Sequence, residues 1–259
     1  MGTSFGTLEK AIDILCLFNP EHPELTAQEI AQQLSIPLST AYKYLQVFHD
    51  RKFLSKNGRT NKFFPGLSML KLGFLAAEKT SILEIAPKYL KSLADRSLET
   101  AVLTVADGMN VVCVDIRVSS RAVKFITGKG STMPLYAGSP GKAVLAFKAP
   151  SFIDQLIQTT GLAKLNKNTI TEIEPLKNEL ATIRKQGFSE SDSELETEVC
   201  SVAAPIFDYK GEAIAAIAVA GPAERIFREN KQNLIDLVKA CANGISVELG
   251  YGEMKDKLF

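Results

Sequence analysis

Histidine is scarce in this chain: only His22 and His49 occur among 259 residues, and nothing after position 49 is a histidine. That scarcity removes Ser-His-Asp catalysis and histidine-ligated zinc from most of the protein. The four cysteines, Cys16, Cys113, Cys200 and Cys241, lie far apart and form no C-x-x-C pair. Each reads as a small buried apolar residue with a reduced thiol. No apolar run is long enough to span a bilayer, and no signal-peptide pattern opens the chain. A cytoplasmic location without membrane contact is therefore expected. An excess of either charge is missing too, with 30 bases against 29 acids, which argues against a basic tail. What is present is a 46% apolar content, enough for a sizeable core in one large domain or two ordinary ones.

The overall balance conceals a local excess. Between Tyr42 and Lys71, seven bases (Lys43, Arg51, Lys52, Lys56, Arg59, Lys62 and Lys71) meet one acid, Asp50, a charge of +6. A field of that sign attracts phosphates even when the whole chain is neutral.

The same region has a readable architecture. Leu8, Ile12, Leu15 and Phe18 recur at helical spacing, and Asn19-Pro20 is expected to end that helix. In "LTAQEIAQQL", Thr26 and Glu29 are spaced as a capping box, with Ala27, Ile30, Ala31 and Leu34 on one face. After the break Ser35-Ile36-Pro37, a second helix is predicted to turn Leu38, Ala41, Leu45 and Phe48 inward. Ser39, Thr40, Tyr42, Lys43 and Gln46 are left outside. Two short helices across a tight break make a helix-turn-helix. The "FLSKNGRTNKFF" segment that follows carries an Asn57-Gly58 hairpin signal, with Lys56, Arg59 and Lys62 at its tip. Together these predict a winged helix. Its second helix would enter the major groove, Lys43 and Gln46 reaching base edges and Ser39, Thr40 and Tyr42 meeting phosphates or thymine methyls. The alternative is a solvated helix face in a protein-binding module. The basic window favours double-stranded DNA, because phosphate neutralisation supplies most non-specific affinity. Thr26, Arg59 and Lys62 complete the candidate DNA-facing set. The apolar run after Gly66 predicts a connecting helix with an unpartnered face, suited to a second copy of the chain.

From about Ser81 the pattern changes. Helices are expected over 81–98, from near Ser139, over 172–186 and from about Glu229 to Leu249; strands are expected around Asp107-Gly108, over "AVKFIT" (122–127) and around Lys210-Gly211. Hairpins with flanking helices predict an α+β antiparallel sheet.

Three segments invite chemistry. Ser139 and Lys142 have the Ser-x-x-Lys spacing of an activated serine, and "SDS" (191–193) resembles the partner motif of penicillin-binding enzymes, but the K-T-G strand is missing. A helix lining a ligand pocket is the plainer reading. Tyr136 and Ala143 exclude a Walker loop in the same place. In "SESDSELETEVC", Asp192, Glu194 and Glu196 could approach a metal, but no calcium-loop pattern is present and a flexible surface loop is the simpler reading. No catalytic residue, metal or cofactor is assigned.

The order of "LEKAIDIL", "LTAQEIAQQLSIPLSTAYKYL", "FFPG", "MPLYAGSPGKAVLA", "IRKQGF", "VAAPIFDYKGEAIAAIAVAGP" and "ISVELG" resembles the IclR family of bacterial transcription regulators over about residues 7–250. The resemblance implies a winged helix-turn-helix over 1–66, a dimerising linker helix over 67–80 and a GAF-like effector-binding domain over 81–259. It further implies a homodimer or homotetramer on operator DNA that answers to a small-molecule effector, often an organic or aromatic acid. Carried over by motif, the effector residues are Met133, Leu135, Gly138, Ser139, Ser191 or Asp192, Ser201, Ala218 and Ala220. Pro140 stands where a backbone N–H could meet a carboxylate, and Ala218 and Ala220 replace serines of some relatives. These departures point to a larger or more apolar effector. Pro65 replaces an aliphatic residue of the family's wing, so the second wing strand should be short or end there.

Overall fold

The computed structural model describes residues 6–19, 22–78 and 82–251. The chain divides into two compact units, Met1–Thr80 and Ser81–Phe259.

The first unit contains α1 (Gly6–Cys16), α2 (Ala27–Gln33), α3 (Leu38–Asp50), strands β1 (Leu54–Lys56) and β2 (Phe63–Pro65), and α4 (Leu67–Glu78). The helix α1 ends at Cys16, earlier than expected; Pro20 lies outside the described residues. The capping box forms as predicted: Thr26 Oγ1 accepts from the Glu29 amide at 3.2 Å, and the Thr26 amide donates to Glu29 Oε2 at 2.7 Å. Those bonds from the Thr26 backbone and hydroxyl hold the Glu29 carboxyl below its ordinary range. Ser35, in the break, adopts a positive φ of 52°, the tight reversal that the turn between α2 and α3 requires. Ile14, Ile30, Ala41, Leu45 and Leu54 close the core. Leu38 was expected in that core but is 45% exposed, because it is the first residue of α3 and lies beyond the reach of α2. The wing pairs Leu54 with Pro65 and Lys56 with Phe63, so its second strand ends at Pro65 as expected. Leu25 bridges to Phe63 and brings a third segment of chain against β2. The tip is not a two-residue Asn-Gly turn. Residues 57–62 form a wider loop, in which the Asn57 side chain accepts from the Arg59 and Thr60 amides and Asn61 takes the positive φ.

The second unit is built on a six-stranded antiparallel sheet in the order β5-β4-β3-β8-β7-β6. Its strands are β3 (Thr100–Asp107), β4 (Asn110–Arg117), β5 (Thr132–Pro134), β6 (Ser189–Asp192), β7 (Val199–Phe207) and β8 (Ala213–Pro222). The helices α5 (Ile82–Ser97) and α9 (Lys231–Glu248) cover one face, where Leu90, Leu103, Val202, Ile217, Val219 and Val238 pack. The other face carries α6 (Ser139–Leu145), α7 (Pro150–Thr160) and α8 (Ile173–Gln186). There the sheet presents Ala203, Ala216 and Ala218. Alternation explains the asymmetry: along β8, Ala215, Ile217 and Val219 point to α9, and Ala216 and Ala218 point to α6. A π-helical turn, Glu224–Glu229, precedes α9.

Two expectations fail here, and one helix was not expected. Residues 122–127 are not a strand, because the ladder position beside β4 is taken by residues 130–134. The displaced segment is tied down instead by Arg225 on the Val123 carbonyl and Thr100 on the Phe125 carbonyl. The helix α7 had no counterpart in the sequence reading. The stretch from Ser189 is not a flexible surface loop: it begins with β6 and buries Ser191, Ser193 and Glu194.

Candidate DNA interface and effector site

The DNA-facing candidates divide by availability. Ser39, Tyr42, Lys43 and Gln46 are exposed on α3, Thr40 is half-buried, and Ala41 and Leu45 fasten the opposite face to the core. Gln46 Nε2 donates to Asp50 Oδ1 at 2.8 Å, which holds its amide along the helix surface. The Thr26 hydroxyl is occupied by the cap, donating to Glu29 Oε2 at 2.9 Å. Arg59 is exposed on the wing loop and Lys62 is half-buried beside it. Sequence periodicity missed Leu38 and Val47, which are 45% and 59% exposed on the same helix. Apolar side chains so placed can meet thymine methyl groups.

In the second unit, the register decides which candidates meet. Ser191 pairs with Ser201, and Ser201 with Ala220; Ser189 pairs with Ala203, and Ala203 with Ala218. Paired residues share a face, so these six form two adjacent rows beneath α6. Ser139, on the first turn of α6, shares a hydrogen bond of 2.7 Å with Ser201 across the gap. Met133 and Leu135 approach from β5 and its exit, Met133 opposite Val111. Asp192 is separated from this group by the pleat. It pairs with Cys200 on the α9 side, where its Oδ1 accepts from Ser193 Oγ and Cys200 Sγ.

Gly138 and Gly141 let the loop and helix approach this closely. Gly138 has a φ of 78°, and a Cβ there would stand 2.7 Å from Leu195 Cδ1. A Cβ on Gly141 would stand 2.5 Å from the Pro134 carbonyl oxygen.

Sequence reasoning missed the polar centre of the site. Lys142 is 2% exposed, and its Nζ donates to Glu194 Oε1 at 2.6 Å and Glu179 Oε1 at 2.9 Å. Glu194 also accepts from the Gly138 amide at 3.1 Å, so a side-chain carboxylate already occupies that N–H. The bonds of Lys142 run to carboxylates and that of Ser139 to Ser201, which is not the geometry of a lysine activating a serine. A lysine inside the apolar run "GKAVLA" was the available signal, since a buried ammonium requires an anion. Ser189, fully buried, has no hydrogen-bond partner for its hydroxyl among the described residues. Asp192, Glu194 and Glu196 form no metal-binding cluster among the described residues.

Two buried thiols lie on strands of the same sheet, Cys113 on β4 and Cys200 on β7. Burial first, then the Asp192 carboxylate, push Cys200 up to about 12. Burial and then Asp115 push Cys113 up to about 11. Neither is a nucleophile near neutrality. Hydroxyls, one engaged amide and an alanine floor amount to a binding surface rather than reaction machinery.

Comparison with known proteins agrees. Residues 7–58 match the IclR helix-turn-helix domain, and residues 74–247 match the family described as bacterial transcriptional regulator IclR C-terminal. The HTH-type transcriptional regulator KipR of Bacillus subtilis is 29% identical over 245 residues, covering 95% of this chain and 97% of that protein. KdgR of Escherichia coli is 26% identical over 248 residues, covering 96% and 94%. The crystal structure of the Thermotoga maritima IclR matches with a TM-score of 0.72 at 30% identity, covering 95% of this chain and 99% of that one. An IclR homolog from Microbacterium hydrocarbonoxydans, crystallised with 4-hydroxybenzoate, shares the fold with a TM-score of 0.80 at 22% identity, covering 94% and 98%.

Proposed function

The chain belongs to the IclR family of bacterial transcriptional regulators, which join a helix-turn-helix domain to an effector-binding domain, and we propose that an organic or aromatic acid sets its affinity for a double-stranded operator. Its named relatives are regulators and repressors, and the protein is a regulator rather than an enzyme. The observation that carries the DNA half is the exposed polar face of α3, centred on Lys43 within the basic window. Leu38 and Val47 join Ser39, Tyr42, Lys43 and Gln46 as base-reading candidates, with Arg59 on a neighbouring phosphate. Lys62 supports the wing.

For the effector half, Ser139, Ser191 and Ser201 supply hydroxyls, while Ala203, Ala218 and Ala220 present only methyl groups to a ring. The Gly138 amide is engaged by Glu194, Pro140 has no N–H, and Ala218 and Ala220 lack hydroxyls. A bare keto acid therefore finds few donors. An aromatic acid, whose ring rests on the alanines while its carboxylate meets the serines, fits better. The neighbour holding 4-hydroxybenzoate supports this choice. Effector binding shifts the population between DNA-competent and incompetent states. Further parts of the proposal are a cytoplasmic homodimer or homotetramer, with 1–66 as the DNA module, 67–80 as a dimerising linker and 81–259 as the effector domain.

A thermal-shift screen with aromatic and keto acids, followed by gel shifts on the chain's own upstream DNA, tests the proposal. An aromatic acid should raise the melting temperature and change operator affinity. Submicromolar binding of a small keto acid would contradict the effector class. Absence of a salt-dependent gel shift would contradict the DNA half.

A further inference from the structure

A cleft of about 300 Å³ lies apart from the α6 face, between the C-terminal end of α8, the last residues of β7, and α9. Its origin is a mismatch of strand lengths. β6 pairs with β7 only up to Ser189–Ala203, and the chain reverses at Gly187, with a φ of 78°. Ala204 to Phe207 thus run on without a strand neighbour on that side among the described residues, and side chains fill the gap only in part.

The lining has two chemistries. Phe147, Phe207 and Tyr251 form an aromatic series: Phe147 meets Phe207 edge-on at 5.0 Å, and Phe207 stacks on Tyr251 at 4.9 Å with 21° between the planes. All three are only partly buried. Arg184, Lys185 and Lys239 line the same cleft, and among the described residues no Asp or Glu does. Two of these cations are moored to backbone. Arg184 donates to the Ala146 carbonyl at 2.6 Å and the Lys148 carbonyl at 3.2 Å, and Lys239 to the Gln186 carbonyl at 2.9 Å. The moorings fix where the charges stand and leave each group further N–H donors. Lys185 is exposed.

We propose that this cleft is a second small-molecule site, taking a planar aromatic carboxylate whose ring joins the Phe207–Tyr251 stack and whose carboxylate meets Lys185 and Lys239. Cations alone would attract any anion, and aromatic rings alone any flat apolar molecule. Their juxtaposition selects a ligand that is both. The volume falls at the lower end for small-molecule pockets, which limits the ligand to one or two rings. The site is separate from the Ser139–Ser201 surface and does not depend on the effector assigned to it.

Calorimetric titration of the full chain with 2-naphthoate tests the proposal, with 2-naphthalenemethanol as the uncharged comparator. Tyr251→Ala should weaken naphthoate binding roughly tenfold. Lys185→Glu should weaken it roughly fivefold. Ser201→Leu, which fills the α6 face, should leave this binding step in place. Melting temperatures confirm that each variant folds. Naphthoate binding abolished by Ser201→Leu and untouched by Tyr251→Ala and Lys185→Glu would overturn the second site, as would no binding or equal binding of the alcohol. If Tyr251→Ala instead weakens self-association without affecting naphthoate, the cleft is filled by a second copy and the proposal is wrong.

Discussion

Lys142 is the residue on which the second unit's polar centre turns. Its ammonium neutralises Glu194, and Glu194 in turn fixes the Gly138 amide at the start of α6. Lys142→Met should therefore destabilise the protein by roughly 3–5 kcal/mol, because it strands a buried carboxylate. Pairing it with Glu194→Leu should recover part of the loss in a denaturant titration. Asp115 offers a pH test. Burial pushes its carboxyl up, but Lys129, the Ile116 amide and Arg117 outweigh that, and it titrates below its ordinary 3.8. A lowered carboxyl stabilises the fold above its unfolded value, and the contribution is lost as pH falls through the folded one. Asp115→Asn should thus flatten the fall in melting temperature as pH drops below about 4. The thiols make a third case. Cys16 is exposed, whereas Cys113, Cys200 and Cys241 are buried and raised. A neutral maleimide at pH 7 should add once to the native chain and to all four cysteines in urea, counted by intact mass.

At the scale of elements, α3 was legible and its neighbours only partly so. The capping box, the Pro37 entry and the inward Ala41 and Leu45 follow from local rules that the fold keeps. Leu38 escapes burial because periodicity says which face a residue takes, not whether another helix reaches that far along. The Asn57-Gly58 signal identified the hairpin but not its wider loop, since Asn57 caps that loop with its side chain. Residues 122–127 have strand-like composition, but strand pairing is a competition and 130–134 occupy the place beside β4. The proposed role of α3 gives a direct test: Lys43→Ala should weaken operator binding by roughly 1–3 kcal/mol if its ammonium reads a base. Uniform weakening on all sequences, with a smaller salt slope, would assign it to a phosphate instead.

For the whole molecule, the order of the motifs identified the family, while the site needed register. Ser191 and Asp192 are indistinguishable as neighbours in a polar stretch. Only pairing with Ser201 and Cys200 sends one toward α6 and the other away. The Lys142–Glu194–Glu179 set joins residues far apart in the chain and left one local trace, a lysine among apolar residues. The proposed assembly belongs to this scale. Leu67, Leu70, Leu72 and Leu75 are 52–59% exposed on α4. If α4 carries the proposed dimer, Leu70→Glu with Leu75→Glu should shift sedimentation toward monomer and weaken binding to a two-half-site operator more than to a half-site.

The middle of the large sheet joins β3 to β8, with Thr100 beside Ala220 and Val105 beside Ala215. In the first unit, by contrast, contacts run between helices and strands close in sequence. During synthesis the winged helix can fold soon after it emerges, whereas β3 must wait exposed until the ribosome has made the β7–β8 hairpin. A chain cut short before β7 would carry a folded DNA module attached to an open sheet edge, able to dock on an operator but not to answer a ligand, and prone to aggregate through that edge.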